Sequence, residues 1–170
     1  LWLSERDGYR HLYRFARSGE PLGRLTSGEW QVKEVVGVDE PNGFVYVTSD
    51  RDGKLETHLY RIALADGAMQ RITQGRGTHD VSMSKDFRSF LTKWSSAETP
   101  PSTFLRDLDD NELRVVARSR PQLLEPYDLR TPRFVEVPAR DGFVMRGMLI
   151  EPNGFDPAVK YPVVQFTYSG

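Results

Sequence analysis

The 170-residue chain contains no cysteine. That absence excludes a disulfide scaffold, a thiolate zinc site and a cysteine nucleophile. It leaves the compartment open, because a large fold can be stable without covalent staples. Long apolar runs are missing too. Nothing approaches the roughly 18 residues that a membrane helix needs, and stretches such as Val35-Val36 and Val163-Val164 are strand-sized. Neither sign of charge is in excess. Lys plus Arg number 23 and Asp plus Glu 24, for a net charge of −1. A nucleic-acid binder or a binder of anionic membranes would carry a basic surplus. No signal peptide is visible. The chain opens on what reads as mid-strand and closes just after a strand, so both ends read as internal to a longer polypeptide. Its length is that of one average domain or of a piece of a larger one, long enough to bury a core.

What is present is a repeat. Ser4-Glu5-Arg6-Asp7-Gly8 is followed by His11-Leu12-Tyr13-Arg14 and then Leu25-Thr26. Ser49-Asp50-Arg51-Asp52-Gly53 is followed by His58-Leu59-Tyr60-Arg61 and then Ile72-Thr73. A weaker third copy starts at Trp94-Ser95, continues through Thr103-Phe104-Leu105-Arg106 and ends near Leu113-Arg114-Val115-Val116. A period of about 40–50 residues made of short strands marks a β-propeller with one four-stranded blade per repeat. Phe44-Val45-Tyr46-Val47-Thr48 is a β-branched and aromatic run after an Asn42-Gly43 turn. Asp66-Gly67 marks another turn, and Lys85-Asp86 a hairpin between Val81-Ser82-Met83 and Ser89-Phe90-Leu91. The only helical expectation is a short piece within residues 118–126.

The register changes after Pro121. Pro126, Pro132 and Pro138 space out a segment unlike the repeats. Phe134-Val135-Glu136-Val137 and Val144 to Ile150 bracket an Asp141-Gly142 turn. Residues 152–160 read as a loop. Tyr161 to Tyr168 reads as a strand buried on both faces of a sheet. The domain boundary is expected near residue 130, with propeller blades over 1–130 and a second domain over 131–170.

Several patterns invite chemistry and are weak. His11 and His58 occupy equivalent repeat positions, which points to packing or hydrogen bonding. Neither they nor His79 sit in a metal-ligand pattern, and no metal or cofactor is expected. Asp107 to Glu112 has a calcium-loop composition without the glycine and spacing of an EF-hand, and reads as a solvated hairpin tip. Ser82-Met83-Ser84-Lys85 matches Ser-x-x-Lys, but on a strand and its turn rather than at a helix start. Gly75-Arg76-Gly77 lacks the strand and helix that a phosphate loop requires. There is no Gly-x-Ser-x-Gly elbow and no complete active site.

Taken in order, these segments resemble the dipeptidyl peptidase IV branch of the prolyl oligopeptidase family along nearly the whole chain. Ser4 to Tyr13 is similar to the Gly-Tyr-Arg-His hairpin of a late blade. Gly28-Glu29-Trp30-Gln31-Val32 resembles the Gly-x-Trp-x-Val opening of the next, and Ser82-Met83-Ser84-Lys85 the Ser-x-Ser-Lys of the last. Gly147 to Pro152, Phe155-Asp156 and Lys160 to Val163 resemble the beginning of an α/β-hydrolase domain. The implied fold is mainly β: a partial propeller leading into the first strands of that domain.

Thr167-Tyr168-Ser169-Gly170 resembles the family's Tyr-x-Gly-Pro segment. The resemblance implies that Tyr168 donates its phenol to the oxyanion of a tetrahedral intermediate, where a fixed donor counts most. The bland alternative is a tyrosine ending a core strand. Serine, acid and histidine of a triad would lie beyond this chain. The implied parent is a serine peptidase that releases N-terminal dipeptides, X-Pro favoured, from a peptide substrate through an acyl-enzyme. Its propeller would gate and position the peptide. An acylaminoacyl peptidase or oligopeptidase of the same family, or a non-catalytic propeller that binds partners, remains open. No nucleic acid or membrane contact is expected from this segment, and a homodimeric parent is compatible with the resemblance. Secreted vertebrate relatives carry cysteines in this region. This chain has none and no Asn-x-Ser/Thr sequon, which favours a bacterial periplasmic or cytoplasmic location. By itself, with open blade edges, the segment is expected to be unstable.

Overall fold

A computed structural model describes residues 1–166. The chain divides into two compact units, Leu1–Pro121 and a second that begins at Gln122. The first unit holds three antiparallel sheets. The first sheet comprises β1 (Trp2–Ser4), β2 (His11–Phe15) and β3 (Pro21–Arg24). The second comprises β4 (Val32–Asp39), β5 (Phe44–Ser49), β6 (His58–Ala63) and β7 (Met69–Arg71). The third comprises β8 (Thr78–Met83), β9 (Ser89–Ser95), β10 (Ser102–Asp107) and β11 (Glu112–Ala117). Within each sheet, strands neighbour one another in chain order. Short turns leave no room for any other pairing, so each repeat closes as one propeller blade.

A blade cannot bury both faces alone, and the apolar clusters therefore lie between blades. Leu12 and Leu25 of the first repeat pack with Val32, Val45, Val47, Tyr60 and Ile62 of the second sheet. Tyr46, Leu59 and Ile72 pack in turn with Val81 and Phe90 of the third. Leu12, Val45, Val47, Leu59, Ile62 and Phe90 are completely buried. Each contributes on the order of 1.5–3 kcal/mol of transfer free energy.

Two backbone features key neighbouring sheets together. Gly67, in the turn after β6, has φ +77°, and any Cβ there would strike the Leu25 carbonyl oxygen of the first repeat. In the third sheet the corresponding turn carries Asp110, also left-handed at φ 64°. There the carboxylate accepts the Gln74 N–H at 2.8 Å, so a side chain takes up the inter-blade contact. The β8–β9 hairpin supplies the second feature. Phe87 at its tip has φ 54°, and its ring stacks on Tyr46 with centroids 5.5 Å apart. The ring fills the space where a Cβ on Gly37 would stand, 2.5 Å from Phe87 Cε1. Asp86 fixes this turn by accepting from Ser84 Oγ at 2.7 Å and from the Arg88 amide.

The second unit contains one hairpin, β12 (Arg133–Pro138) with β13 (Val144–Leu149), turning at Asp141-Gly142. Its apolar side chains stay largely exposed, Phe143 at 67% and Met148 at 58%. Two sequence expectations are corrected. The helical piece within 118–126 takes the form of two 3₁₀ turns, Pro121–Leu123 and Glu125–Tyr127. Pro121 and Pro126 each lack the amide hydrogen a continuing α-helix would use. The buried strand expected from Tyr161 to Tyr168 is not formed over 161–166, and Phe166 is 95% exposed. A strand exists only through its ladder, and no neighbouring strand stands beside this run among the described residues. Among the described residues no helix is long and apolar enough to cross a membrane.

Candidate functional site

The residues singled out in the sequence fall into three groups. Tyr168 lies outside the described residues. The loop patterns prove to be turns. Asp107 accepts from the Asp109 and Asn111 amides and the Asn111 side chain, which holds its carboxyl below the ordinary range. Ser84 is tied to Asp86, and Arg76 pairs with Glu56. Among the described residues no group of three or more His, Cys, Asp or Glu side chains could hold a metal ion.

The histidines form the third group, and all three are buried. His11 Nδ1 lies 3.1 Å from Thr26 Oγ1, and Nε2 lies 3.0 Å from the Gly28 carbonyl. A carbonyl only accepts, so Nε2 carries the hydrogen and Nδ1 receives the threonine O–H. The same Thr26 oxygen accepts the Leu12 amide at 3.0 Å. The second repeat copies this arrangement: His58 Nδ1 to Thr73 Oγ1 at 3.2 Å, with Thr73 Oγ1 accepting the Leu59 amide at 3.0 Å. Here the Nε2 partner is Glu56 Oε2 at 2.9 Å. Hydroxyl, imidazole and carboxylate thus stand in line as in a catalytic triad. The resemblance goes no further. Thr73 and His58 are fully buried, and the hydroxyl oxygen is occupied by backbone. Burial raises the Glu56 carboxyl, and hydrogen bonds from His58 and Arg76 outweigh it, leaving the net shift downward. The trio pins the β6 backbone to the segment after β7.

His79 is the histidine whose partners the repeat does not foretell. It stands on β8 and not on the strand that carries the other two. Its Nδ1 meets Thr92 Oγ1 at 3.1 Å, and its Nε2 has no partner among the described residues. The ring lies 5.4 Å from that of His58, across the seam between second and third sheets. Burial, with the nearby His58, Arg106 and Arg71, lowers its pKa to about 3. No serine hydroxyl among the described residues contacts a histidine, so the triad chemistry is not housed in them.

A Tyr–Asp–Arg group also recurs. Tyr13 donates to Asp7 at 2.7 Å, and Arg24 pairs with the same oxygen at 3.1 Å. In the next repeat Arg71 pairs with Asp52 at 3.1 Å, and burial, with Asp52 adding to it, pushes the Tyr60 phenol upward. The family model described as "Dipeptidyl peptidase IV (DPP IV) N-terminal region" matches residues 1–101. The chain belongs to the dipeptidyl peptidase IV family. It is 31% identical to "Dipeptidyl peptidase 8" of Mus musculus over 100% of its length and 23% of that protein's. It is 32% identical to "Probable dipeptidyl-aminopeptidase B" of Aspergillus clavatus, covering 96% of this chain and 19% of the relative. Among solved structures, Porphyromonas gingivalis dipeptidyl peptidase 4 matches with a TM-score of 0.83 at 26% identity, over 94% of this chain and 23% of that one. The chain thus spans about a quarter of the length of these dipeptidyl peptidase IV relatives.

Proposed function

We propose that the protein carrying this chain is a serine exopeptidase that releases N-terminal dipeptides, X-Pro favoured, through an acyl-enzyme. The observation that carries this reading is the likeness to proteins named dipeptidyl peptidases along 96–100% of the chain. In this reading residues 1–130 form the last propeller blades and 131–170 begin the peptidase domain. The blades gate and position the peptide. The exposed β12–β13 hairpin and the apolar run from Tyr161 suit a sheet completed by further strands, since exposed apolar area of this kind marks a surface to be covered.

Tyr168 is assigned to the oxyanion. Negative charge develops on the scissile carbonyl oxygen, and a fixed phenol donor in a dry site stabilises it in the transition state more than in the ground state. The test is turnover of a Gly-Pro-linked chromogenic substrate by the full-length protein, with and without a serine-directed fluorophosphonate. Inhibitor-sensitive release supports the reading. Absence of both turnover and labelling removes it. Tyr168→Phe is expected to lower kcat about 10²–10³-fold with little change in KM, and unchanged turnover would remove the tyrosine's role.

A further inference from the structure

The loop between β1 and β2, the segment between β3 and β4 and the loop between β5 and β6 meet at one end of the first two sheets. The Val32 amide donates to the Arg10 carbonyl at 2.8 Å, and the Gln31 amide to Asp50 Oδ1 at 2.7 Å. Lys54 Nζ donates to the Glu29 carbonyl. Four cations gather there: Arg10, Lys33, Arg51 and Lys54. Arg10 donates to the Lys33 carbonyl at 3.1 Å, and Lys33 to Thr57 Oγ1 at 2.9 Å. Lys54 lies over the Tyr9 ring at 4.9 Å and Arg51 over Trp30 at 5.9 Å.

None of the four has a carboxylate partner among the described residues, although Arg24, Arg71 and Arg76 nearby each have one. The acids between them are already engaged: Asp50 by Gln31, Asp52 by Arg71, Glu56 by His58 and Arg76. The Trp30 indole N–H and the Tyr9 hydroxyl carry no hydrogen bond to the described residues either. The rim therefore presents a convergent set of donors, held in place by rings and backbone carbonyls, with few acceptors to match. Such a set is complementary to carboxylates. The exposed, unpaired Glu5, Glu29 and Glu34 stand in the same region, so the attraction comes from directed contacts and not from a uniformly positive field.

We propose that this rim, formed by Tyr9, Arg10, Trp30, Lys33, Arg51 and Lys54, is a docking surface for an acidic peptide segment. Carboxylates of the segment replace the missing partners of Arg51 and Lys54, and the faces of Tyr9 and Trp30 flank its backbone. The surface does not depend on the peptidase reading, because binding here needs no free amino terminus and no cleavage.

The test uses the full-length protein and a fluorescent hexaglutamate blocked at both ends, followed by anisotropy. Hexaglutamine is the control. Expected is saturable binding of hexaglutamate alone, weakened about tenfold in the double variant Arg51→Gln/Lys54→Gln and weakened by added salt. Glu29→Gln, which removes a nearby like charge, is expected to tighten binding. These side chains are at the surface, so an unchanged melting temperature checks that the variants fold. Equal binding of hexaglutamine, no saturable binding, or hexaglutamate binding that neither variant alters would overturn the proposal.

Discussion

His79 makes the seam between the second and third sheets sensitive to acid, and the size of the effect follows from its surroundings. The folded-state pKa is about 3, against an ordinary 6.5. Any opening that exposes the ring lets it take a proton below pH 6.5, whereas the closed seam refuses one until about pH 3. The open state thus binds more protons throughout that window. The stabilising contribution is fully present above about pH 6.5 and declines as pH falls. At about pH 4.5, two pH units below the ordinary value, the loss is about 2.7 kcal/mol. Glu56 has a lowered pKa and so loses its contribution mainly at still lower pH. The perturbation is His79→Asn, which keeps a polar atom for Thr92 and does not titrate. Hydrogen exchange of the β8–β9 amides in the full-length protein, corrected for intrinsic rates, reports the opening free energy. Between pH 7 and about pH 4.5 the natural protein should lose about 2.7 kcal/mol more than the variant. Equal losses would refute the reasoning, for they would mean that His79 titrates alike in the closed and open seam.

Three further expectations follow from the same contacts. Gly37→Ala places a methyl group against the Phe87 ring and should destabilise the full-length protein by about 1–3 kcal/mol, read as a lowered Tm. Thr73→Val removes the acceptor of the Leu59 amide and the donor to His58. It should cost about 1–3 kcal/mol for leaving buried polar atoms unsatisfied, measured by denaturant unfolding, and Thr73→Ser should restore most of it. Tyr168→Phe should reduce kcat on a Gly-Pro substrate as given above, and its Tm should stay unchanged if the tyrosine serves chemistry rather than packing.

The repeat explains why so much of the first unit was legible in the chain. His11 and His58, Thr26 and Thr73, and Arg24 and Arg71 recur 47 residues apart, because each blade solves the same packing problem. The Asp-Gly and Asn-Gly turns are local chemistry and need no tertiary information. Family membership rests on the same ordered motifs. The seams were not legible. The nearness of His79 to His58 joins different strands of different blades, and no periodicity in one strand encodes it. The fit of Phe87 over Gly37 likewise depends on how one sheet lies against the next. The run from Tyr161 marks the opposite limit: its apolar sequence reads as a strand, but a ladder needs a neighbour. Sequence by itself determined the blades, their turns and the family. Only tertiary structure decided which polar groups meet between blades, because those contacts are set by sheet packing and not by neighbours along the chain.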